Sequence, residues 1–343
     1  QPQNLEDVIA LISLYRPGPM DSIPTYLRNR HEPDKIRYKT PQLAHILDVT
    51  NGCIVYQEQV MQIFRELAGF SFGQADNVRR AMSKKKHAVM EAEREHFVHG
   101  CTDPGNECPG CAANGIPEKV ANEIYDEMSS FASYAFNKSH AACYAYVAFQ
   151  TAYLKCHYPS EFMAALLTSV LDNTDKVIEY SGECARLGIK VLPPDVNISN
   201  GGFTADADGQ IRFGLNAVKN VGRNLIDRVV EERQEKPYAS LYDFCKRLYG
   251  GTEMNRRSVE SLIKAGAFDS MGVNRRSLVE AVEGILKSIE SDTKRNLDGQ
   301  LDLFSVMMGE DAGASDDTYE IKPFPEYSHA ELLQQEKEVS GLY

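Results

Sequence analysis

Residues 57–70, QEQVMQIFRELAGF, show a pattern that returns through the first 190 residues of the chain. The apolar side chains, among them Val60, Ile63 and Leu67, recur every three or four positions and so share one face of an α-helix. The same spacing predicts a helix over residues 5–15. We therefore expect this part of the chain to consist of amphipathic helices that pack through their apolar faces.

Further helices are predicted along the same part of the chain. Pro117 stands at the first-turn position of a helix over 118–129. Helical patterns also cover 138–156 and 159–169. Asp76 is the expected N-cap of a basic helix.

Beyond residue 190 the pattern changes. Residues 189–194 predict a short strand ended by prolines. Residues 203–213 alternate around Asp208-Gly209, which is a strong signal for a β-hairpin. Two similar helical units are expected at 215–249 and 254–285. The predicted fold is mainly α with a small β-hairpin.

The size and composition of the chain limit its class. Its 343 residues are too many for one compact core and predict two or three folded units. With 43% hydrophobic and 25% charged residues, the composition is typical of a soluble globular protein. There is no apolar run long enough for a transmembrane helix. The chain opens without an initiator Met or a signal peptide, and we expect a piece of a longer cytoplasmic protein.

The charge is distributed unevenly. The net charge is −12, which taken alone disfavours a nucleic-acid partner. However, residues 301–343 contain ten Asp or Glu and two Lys, so a net charge of −8 falls in this segment alone. The preceding 300 residues contain two tight basic clusters, whose members are Arg79, Arg80, Lys84, Lys85 and Lys86, and Arg256, Arg257, Lys264, Arg275 and Arg276. Nucleic acid therefore remains a candidate partner.

The first basic cluster is a candidate polyphosphate site. On a helix, Arg80, Ser83 and Lys84 lie on one face. Arginine offers a planar fork to phosphate oxygens and lysine a compact charge. Composition alone favours the alternative, a solvated charged surface.

Polar groups also gather at two predicted helix starts. Asn137 and Lys138 begin a helix on which His140 and Tyr144 share a face, a pattern that suits either a substrate contact or an ordinary helix cap. In residues 55–59, VYQEQ, the polar groups can orient a substrate or close a capping arrangement, and the cap is the better interpretation in isolation.

Residues 219–223, KNVGR, and 264–268, KAGAF, each predict a tight glycine turn between helices. In a helix-hairpin-helix, the N–H groups of such a turn and of the next helix can bind a DNA phosphate, and a flanking Lys or Arg adds affinity without base specificity. The alternative for each is an ordinary packing corner. Two turns in tandem favour DNA binding.

Three of the eight cysteines raise the question of zinc. Cys108 and Cys111 have the two-residue spacing of a zinc knuckle, but His99 and Cys101 have the wrong spacing for a second one. Free thiols in a loop are the favoured interpretation, and we assign no metal ligand.

Catalytic constellations are missing from the sequence. We find no close pair of aspartates for a two-metal site, no glycine-rich phosphate loop and no Ser-His-Asp arrangement. We therefore expect no catalytic residue in this chain.

Six motifs in order resemble those of one family. The chain is similar throughout to the alpha subunits of bacterial DNA polymerase III, the C-family replicative polymerases. The motifs are Ser13–Pro19, Val55–Met61, Arg79–Met82 with the lysines that follow, Phe136–Ala141, Leu262–Asp269 and Gln300–Phe304. Six ordered motifs are far more specific than any one of them.

The resemblance implies a domain plan. Residues 1–195 correspond to a multi-helix fingers domain, and 196–300 to a clamp-binding domain with tandem helix-hairpin-helix motifs. Residues 301–343 become an acidic flexible linker toward an OB domain. The palm, with the carboxylates that bind Mg²⁺, would precede residue 1, so the isolated chain is expected to be inactive.

The resemblance also implies roles for individual residues. Contacts to the incoming nucleotide are expected from Arg16, Tyr56, Gln57, Arg79, Arg80, Lys84, Asn137, Lys138 and His140. Contacts to the duplex backbone are expected from Lys219, Val221, Gly222, Arg223, Lys264 and Gly266. The sliding clamp is expected to bind Gln300, Leu301, Asp302, Leu303 and Phe304. The family has no conserved metal site at Cys101–Cys111, which further disfavours zinc.

The implied partners are primer-template DNA, dNTPs, the sliding clamp and other replicase subunits, with no membrane. The competing interpretation is a non-enzymatic DNA-binding or scaffold protein with a possible zinc knuckle.

Overall fold

A computed structural model describes residues 1–16, 19–84, 87–132, 136–250, 254–297 and 319–341. The chain divides into two compact units, Gln1–Ala152 and Tyr153–Tyr343. This division lies well before the expected domain boundary at residue 195. The cause is that Met163 and Leu167 are buried in the same core as Phe203 and Phe213, so the segment after residue 153 packs with the second unit.

The first unit is helical, as predicted. Its helices are α1 (Leu5–Leu14), α2 (Ile23–His31), α3 (Ala44–Leu47), α4 (Gln57–Ala68), α5 (Phe72–Ser83), α6 (His87–His99), α7 (Gly110–Ala113), α8 (Glu118–Ala132) and α9 (Lys138–His157), the last of which runs past the division between the units.

Two apolar clusters hold this unit together. In the larger one the ring of Phe64 lies 5.0 Å from that of Phe97 and 5.9 Å from that of Tyr125, both edge to face. Edge-to-face aromatic pairs add to the stabilisation from burial. The smaller cluster joins residues of α1 and α9 to Val55 and Tyr56, directly before α4.

Helix α5 begins earlier than predicted. Its N-cap is Ser71, whose hydroxyl accepts from the Gln74 N–H while the Gln74 side chain accepts from the Ser71 N–H. The expectation that Asp76 is the N-cap is wrong, because this Ser-x-x-Gln capping box starts the helix five residues before it. Asp76 lies inside the helix and pairs with Arg79 and Arg80.

The second unit combines helices with a small sheet. Its helices are α10 (Pro159–Ser169), α11 (Thr174–Arg186), α12 (Arg223–Glu235), α13 (Leu241–Leu248), α14 (Arg256–Lys264), α15 (Arg275–Leu297) and α16 (His329–Ser340). The strands are β1 (Val191–Leu192), β2 (Thr204–Ala205) and β3 (Ile211–Arg212), in the order β1-β3-β2. Strands β2 and β3 are antiparallel, which confirms the predicted hairpin.

The core of this unit includes residues of both predicted helix-hairpin-helix units, 215–249 and 254–285. Phe244 of α13 and Phe268, which follows the second turn, meet edge to face at 5.0 Å. Both side chains are fully buried. The two hairpins are therefore part of one packed body.

The described part of the expected flexible tail, residues 319–341 of 301–343, contains a packed helix. Residues 319–341, which we call the C-terminal segment, include α16, and Val339 there is only 2% exposed. Ser328 caps α16 through a capping box with Glu331. The acidic composition pointed to disorder, but the capping box and the buried end of α16 stabilise an ordered helix.

Within the described ranges, no helix is both long and apolar enough to cross a membrane.

Candidate nucleotide and DNA interfaces

In the first unit, the starts of α4 and α9 lie side by side. The Gln57 N–H donates to the Phe136 carbonyl at 3.0 Å, and the Phe136 N–H donates to the Val55 carbonyl at 3.4 Å. These bonds form a parallel bridge between Tyr56 and Phe136. Two sequence motifs that lie about 80 residues apart are thus brought to one place.

Glu58 connects the two helix starts. Its carboxylate accepts from the Lys138 N–H at 3.0 and 3.1 Å and from Asn137 Nδ2 at 2.8 Å. Asn137 Oδ1 in turn accepts from the His140 N–H at 2.8 Å. A carboxylate is favoured there because the first N–H groups of a helix lack partners and carry partial positive charge. The sequence analysis included Glu58 in the polar run 55–59 but gave it no site role of its own, because the pattern does not show that it faces the start of α9.

Arg79 links α5 to the same place. Its Nη1 donates to Gln57 Oε1 at 3.2 Å, and its Nε and Nη2 donate to Asp76 Oδ1 at 2.9 and 2.8 Å. Arg80 Nε lies 2.8 Å from the other Asp76 oxygen, with 66% of its side chain exposed. The hydrogen bond from Arg79 lowers the pKa of Asp76. Lys84 follows at the end of α5 and is exposed.

Two further cations flank the start of α9. The Arg16 guanidinium lies 4.5 Å from the centre of the Phe136 ring, a cation–π contact. Lys138 Nζ lies 3.1 Å from Glu6 and 5.3 Å from the centre of the Tyr56 ring. The N-terminal helix therefore also contributes to this surface, through Glu6.

Aromatic rings continue along α9 from this point. The His140 ring lies 5.4 Å from Phe136 and 4.7 Å from Tyr144, both in edge-to-face contact. His140 is exposed, and 58% of Tyr144 is exposed. The two exposed rings, inclined at 64° to each other, each offer a face suited to stacking with a base.

Tyr56 is placed differently from the other predicted nucleotide ligands. Only 1% of it is exposed, and its hydroxyl has no hydrogen-bond partner within the described residues. Burial raises its pKa. Its ring supports Lys138 from the core.

The resulting surface, which we call the cation cluster, joins six predicted nucleotide ligands: Arg16, Gln57, Arg79, Asn137, Lys138 and His140. Arg80 and Lys84 continue it along α5. Two carboxylates of the same unit pair with these cations, Glu6 with Lys138 and Asp76 with Arg79 and Arg80. A third, Glu58, accepts from the Lys138 backbone N–H and the Asn137 amide. An anionic ligand that binds here replaces the charge-assisted hydrogen bonds between these cations and the chain's own carboxylates with bonds to its own oxygens.

In the second unit, the first hairpin turn is open. Asn220 has φ 65° and reverses the chain, and Gly222, with φ −76°, is the N-cap of α12. A Cβ on Gly222 would have no described atom within 4 Å. The Lys219 and Arg223 side chains are exposed, and Arg223 Nη2 lies 2.8 Å from Asp172.

The second turn is closed. Gly266 is buried, and its neighbours Ala265 and Ala267 are 4% and 0% exposed. Gly266 has φ 85°, and a Cβ on it would lie 2.5 Å from Arg275 Nη2. Lys264 Nζ lies 3.8 Å from Glu338. The two predicted DNA-binding turns therefore differ in accessibility.

The cysteine cluster is a packed turn. The backbones of Cys101 and Cys108 exchange two hydrogen bonds of 2.9 Å, and Cys111 is 0% exposed. Burial raises the pKa of Cys111 to about 12. Within the part of the chain that the structure describes, no three His, Cys, Asp or Glu side chains are grouped to hold a metal ion.

The predicted clamp-binding residues Gln300–Phe304 lie outside the described residues.

Two family models match parts of the chain, one in each unit. Residues 1–105 match the bacterial DNA polymerase III alpha subunit finger domain, and residues 188–278 match a helix-hairpin-helix motif.

Full-length relatives carry the name DNA polymerase III subunit alpha. The chain is 44% identical over 349 residues to that of Thermus aquaticus, 42% over 349 residues to that of Chlamydia pneumoniae and 40% over 347 residues to that of Bacillus subtilis. Each alignment covers 100% of this chain but only 27%, 27% and 29% of the respective relative. On these matches, the chain belongs to the bacterial DNA polymerase III alpha-subunit family and represents a segment of such a subunit.

Proposed function

We propose that this chain is the segment of a replicative polymerase that binds the incoming nucleotide and the duplex DNA. The parent protein would catalyse template-directed, Mg²⁺-dependent nucleotidyl transfer from dNTPs to a DNA 3′ end. The segment would bind the dNTP triphosphate through its first unit, the duplex backbone through its second unit, and the sliding clamp through Gln300–Phe304. The similarity of the whole chain to 27–29% of the length of alpha subunits supports this assignment.

The observation that carries the nucleotide role is the cation cluster. Arg79 is held by Gln57 and Asp76, so its position is set before any ligand arrives. Fixed cations around a transferring phosphoryl group stabilise the charge that develops on the departing pyrophosphate. His140, exposed on the first turn of α9, is a candidate proton donor to that group.

The reaction chemistry itself belongs to other residues of the parent. The described residues present no carboxylate set that fits the Mg²⁺ ions such a reaction uses. We assign those ligands to the palm, outside this chain. The role of this segment is positioning and charge stabilisation.

Arg80→Ala in the intact alpha subunit tests the nucleotide role. Loss of a positioned cation is expected to lower kcat/KM for dNTP by about 2–4 kcal/mol in transition-state stabilisation. Arg65→Ala is the matched control, because Arg65 is exposed at the far end of α4, with its guanidinium 5.9 Å from the centre of the Phe72 ring and no ion pair among the described residues. An unchanged kcat/KM in Arg80→Ala would show that the basic run is a solvated surface.

The 343-residue chain alone provides a second test. With Mg²⁺, primer-template and dNTPs it is expected to show no templated incorporation. Measurable incorporation by the purified chain would contradict the assignment of the chemistry to the palm.

A further inference from the structure

The two hairpins of the second unit differ in what lies against them. At the first, the C-terminal segment makes a backbone contact, in which the Lys219 N–H donates to the Val339 carbonyl at 2.8 Å. The Lys219 side chain and the turn residue Gly222 stay exposed, and a Cβ on Gly222 would face no described atom within 4 Å. At the second, the C-terminal segment contacts Lys264 before the turn, Asn274 after it and the start of α15 at Arg275. Since a helix-hairpin-helix binds phosphate through the turn and the next helix start, this contact falls on the binding surface itself.

Glu326 lies at the start of α15. Its Oε2 accepts from the Arg275 N–H at 2.9 Å, and its Oε1 accepts from the Arg276 N–H at 3.1 Å. These are the first two N–H groups of a 23-residue helix, the position that an anion prefers. A carboxylate with two oxygens on adjacent N–H groups reproduces the contacts that a DNA phosphate would make.

The residues around Glu326 are anchored on both sides. The Phe324 N–H donates to Ser277 Oγ at 2.8 Å, and Asn274 Nδ2 donates to the Phe324 carbonyl at 2.8 Å. The Arg276 guanidinium lies 5.7 Å from the centre of the Tyr327 ring. These contacts fix the backbone on both sides of Glu326, so that its carboxylate is held at the start of α15.

Helix α16 covers the rest of the second hairpin. Glu336 Oε1 lies 2.7 Å from Arg275 Nη1, and Glu338 lies 3.8 Å from Lys264 Nζ. Arg275, whose side chain fills the space beside Gly266, is 8% exposed. Three carboxylates of the C-terminal segment therefore contact the second hairpin. Glu336 pairs with Arg275, Glu338 lies near Lys264, and Glu326 accepts from the first N–H groups of α15.

We propose that the C-terminal segment is an intramolecular occupant of the second hairpin, with Glu326 in the place of a DNA phosphate, so that duplex DNA engages the first hairpin. This inference rests on the proposed DNA-binding function. Release of the segment would uncover a second phosphate site. The acidic segment is then a built-in competitor that limits how many phosphates the unit contacts.

Fluorescence-anisotropy titration of a short duplex with the 343-residue chain tests this. Lys219→Ala/Arg223→Ala is expected to weaken binding by about tenfold and to reduce the slope of log affinity against log salt by about one to two, because each phosphate contact contributes about 0.9. Lys264→Ala is expected to change affinity less than about twofold. An equal loss from Lys264→Ala would overturn the proposal.

Glu326→Ala opens the second site. Duplex affinity is expected to rise about three- to tenfold and the salt slope to steepen by about one. In this background, Lys264→Ala should become damaging. Glu320→Ala is the matched control, since Glu320 is an exposed carboxylate of the same segment with no ion pair among the described residues. If Glu320→Ala raised duplex affinity as much as Glu326→Ala, the change in net charge alone would explain the effect, and the proposal would be overturned.

Amide hydrogen exchange separates failure of this inference from failure of the proposed function. Glu326→Ala should speed exchange of the Arg275 and Arg276 amides about tenfold or more, whereas Glu320→Ala should not. If the parent chain binds no duplex, the DNA-binding function fails but exchange still reports whether Glu326 closes α15. Unchanged exchange would show that Glu326 does not occupy this position.

Discussion

The backbone N–H of Lys138 donates to both oxygens of the Glu58 carboxylate, at 3.0 and 3.1 Å. This contact ties the start of α9 to the first turn of α4. It also means that the positive end of α9 is already balanced by a carboxylate of the chain itself. A triphosphate that binds near Lys138 and His140 meets a helix start whose position Glu58 has set.

Glu58→Ala should loosen the start of α9. The substitution removes a charged acceptor from two donors, Lys138 N–H and Asn137 Nδ2, and is expected to lower the free energy of unfolding by about 1–3 kcal/mol. Urea unfolding followed by circular dichroism measures this. Glu123→Ala is the control, because Glu123 is exposed on α8 and has no ion pair within the described residues. Equal losses from both variants would argue against a specific role for Glu58.

Gly266 should be sensitive to substitution by alanine and Gly222 should not. Gly266 has φ 85°, and a Cβ there would lie 2.5 Å from Arg275 Nη2 and 2.9 Å from Asp269 Oδ2. Gly266→Ala should therefore cost about 1–3 kcal/mol of stability. Gly222→Ala, at φ −76° in open space, should change stability by less than about 0.5 kcal/mol. Thermal unfolding of both variants checks this, and a stable Gly266→Ala would contradict the closed second turn.

Gly222 is then the informative position for DNA contact. A bulky residue there, such as Gly222→Leu, should weaken duplex binding similarly for all sequences, because phosphate contacts carry no base information. Titrations with two duplexes of different sequence measure this. A changed sequence preference would argue against backbone binding.

Glu183 should make the second unit sensitive to acid. Hydrogen bonds from Arg186 and Lys155 lower its pKa from 4.5 to about 2. Because the folded pKa is depressed, its stabilisation is complete above pH 4.5 and is lost as pH falls toward about 2. The stability difference between the parent and Glu183→Gln should therefore shrink over this window. Urea midpoints at stepped pH measure it, with Glu161→Gln, an exposed carboxylate of the same unit, as control. A difference independent of pH would rule out this linkage.

Leu303 and Phe304 are expected to bind the sliding clamp through their apolar side chains. A Gln with two apolar side chains in a short peptide buries little area and pays an ordering cost, so the affinity by itself should be modest. Tethering to a clamp that encircles DNA then gives a high effective concentration. Calorimetric titration of the cognate clamp with the chain and with Leu303→Ala/Phe304→Ala tests this, after circular dichroism has shown the variant to be folded. Equal binding by both would end the clamp assignment.

Local sequence determined most of the helices and the position of the β-hairpin. Apolar spacing in residues 57–70 was sufficient for α4, since one face must be buried whatever the partner. Asp208-Gly209 was sufficient for the turn between β2 and β3, because few residues adopt its backbone angles. Residue type and spacing also indicated Arg79, Arg80 and Lys138 as candidate ligand contacts, although not that they lie near one another.

Only the tertiary structure decided which of these groups meet and which are accessible. No local pattern pairs Glu58 with Lys138, eighty residues later, or brings Glu326 to the N–H of Arg275. The two glycine turns look alike in sequence, yet Gly266 is enclosed by Arg275 and Gly222 is open. The physical reason is that hydrogen bonds, ion pairs and burial act between atoms that are close in space, whereas periodicity and turn chemistry report only on neighbours along the chain.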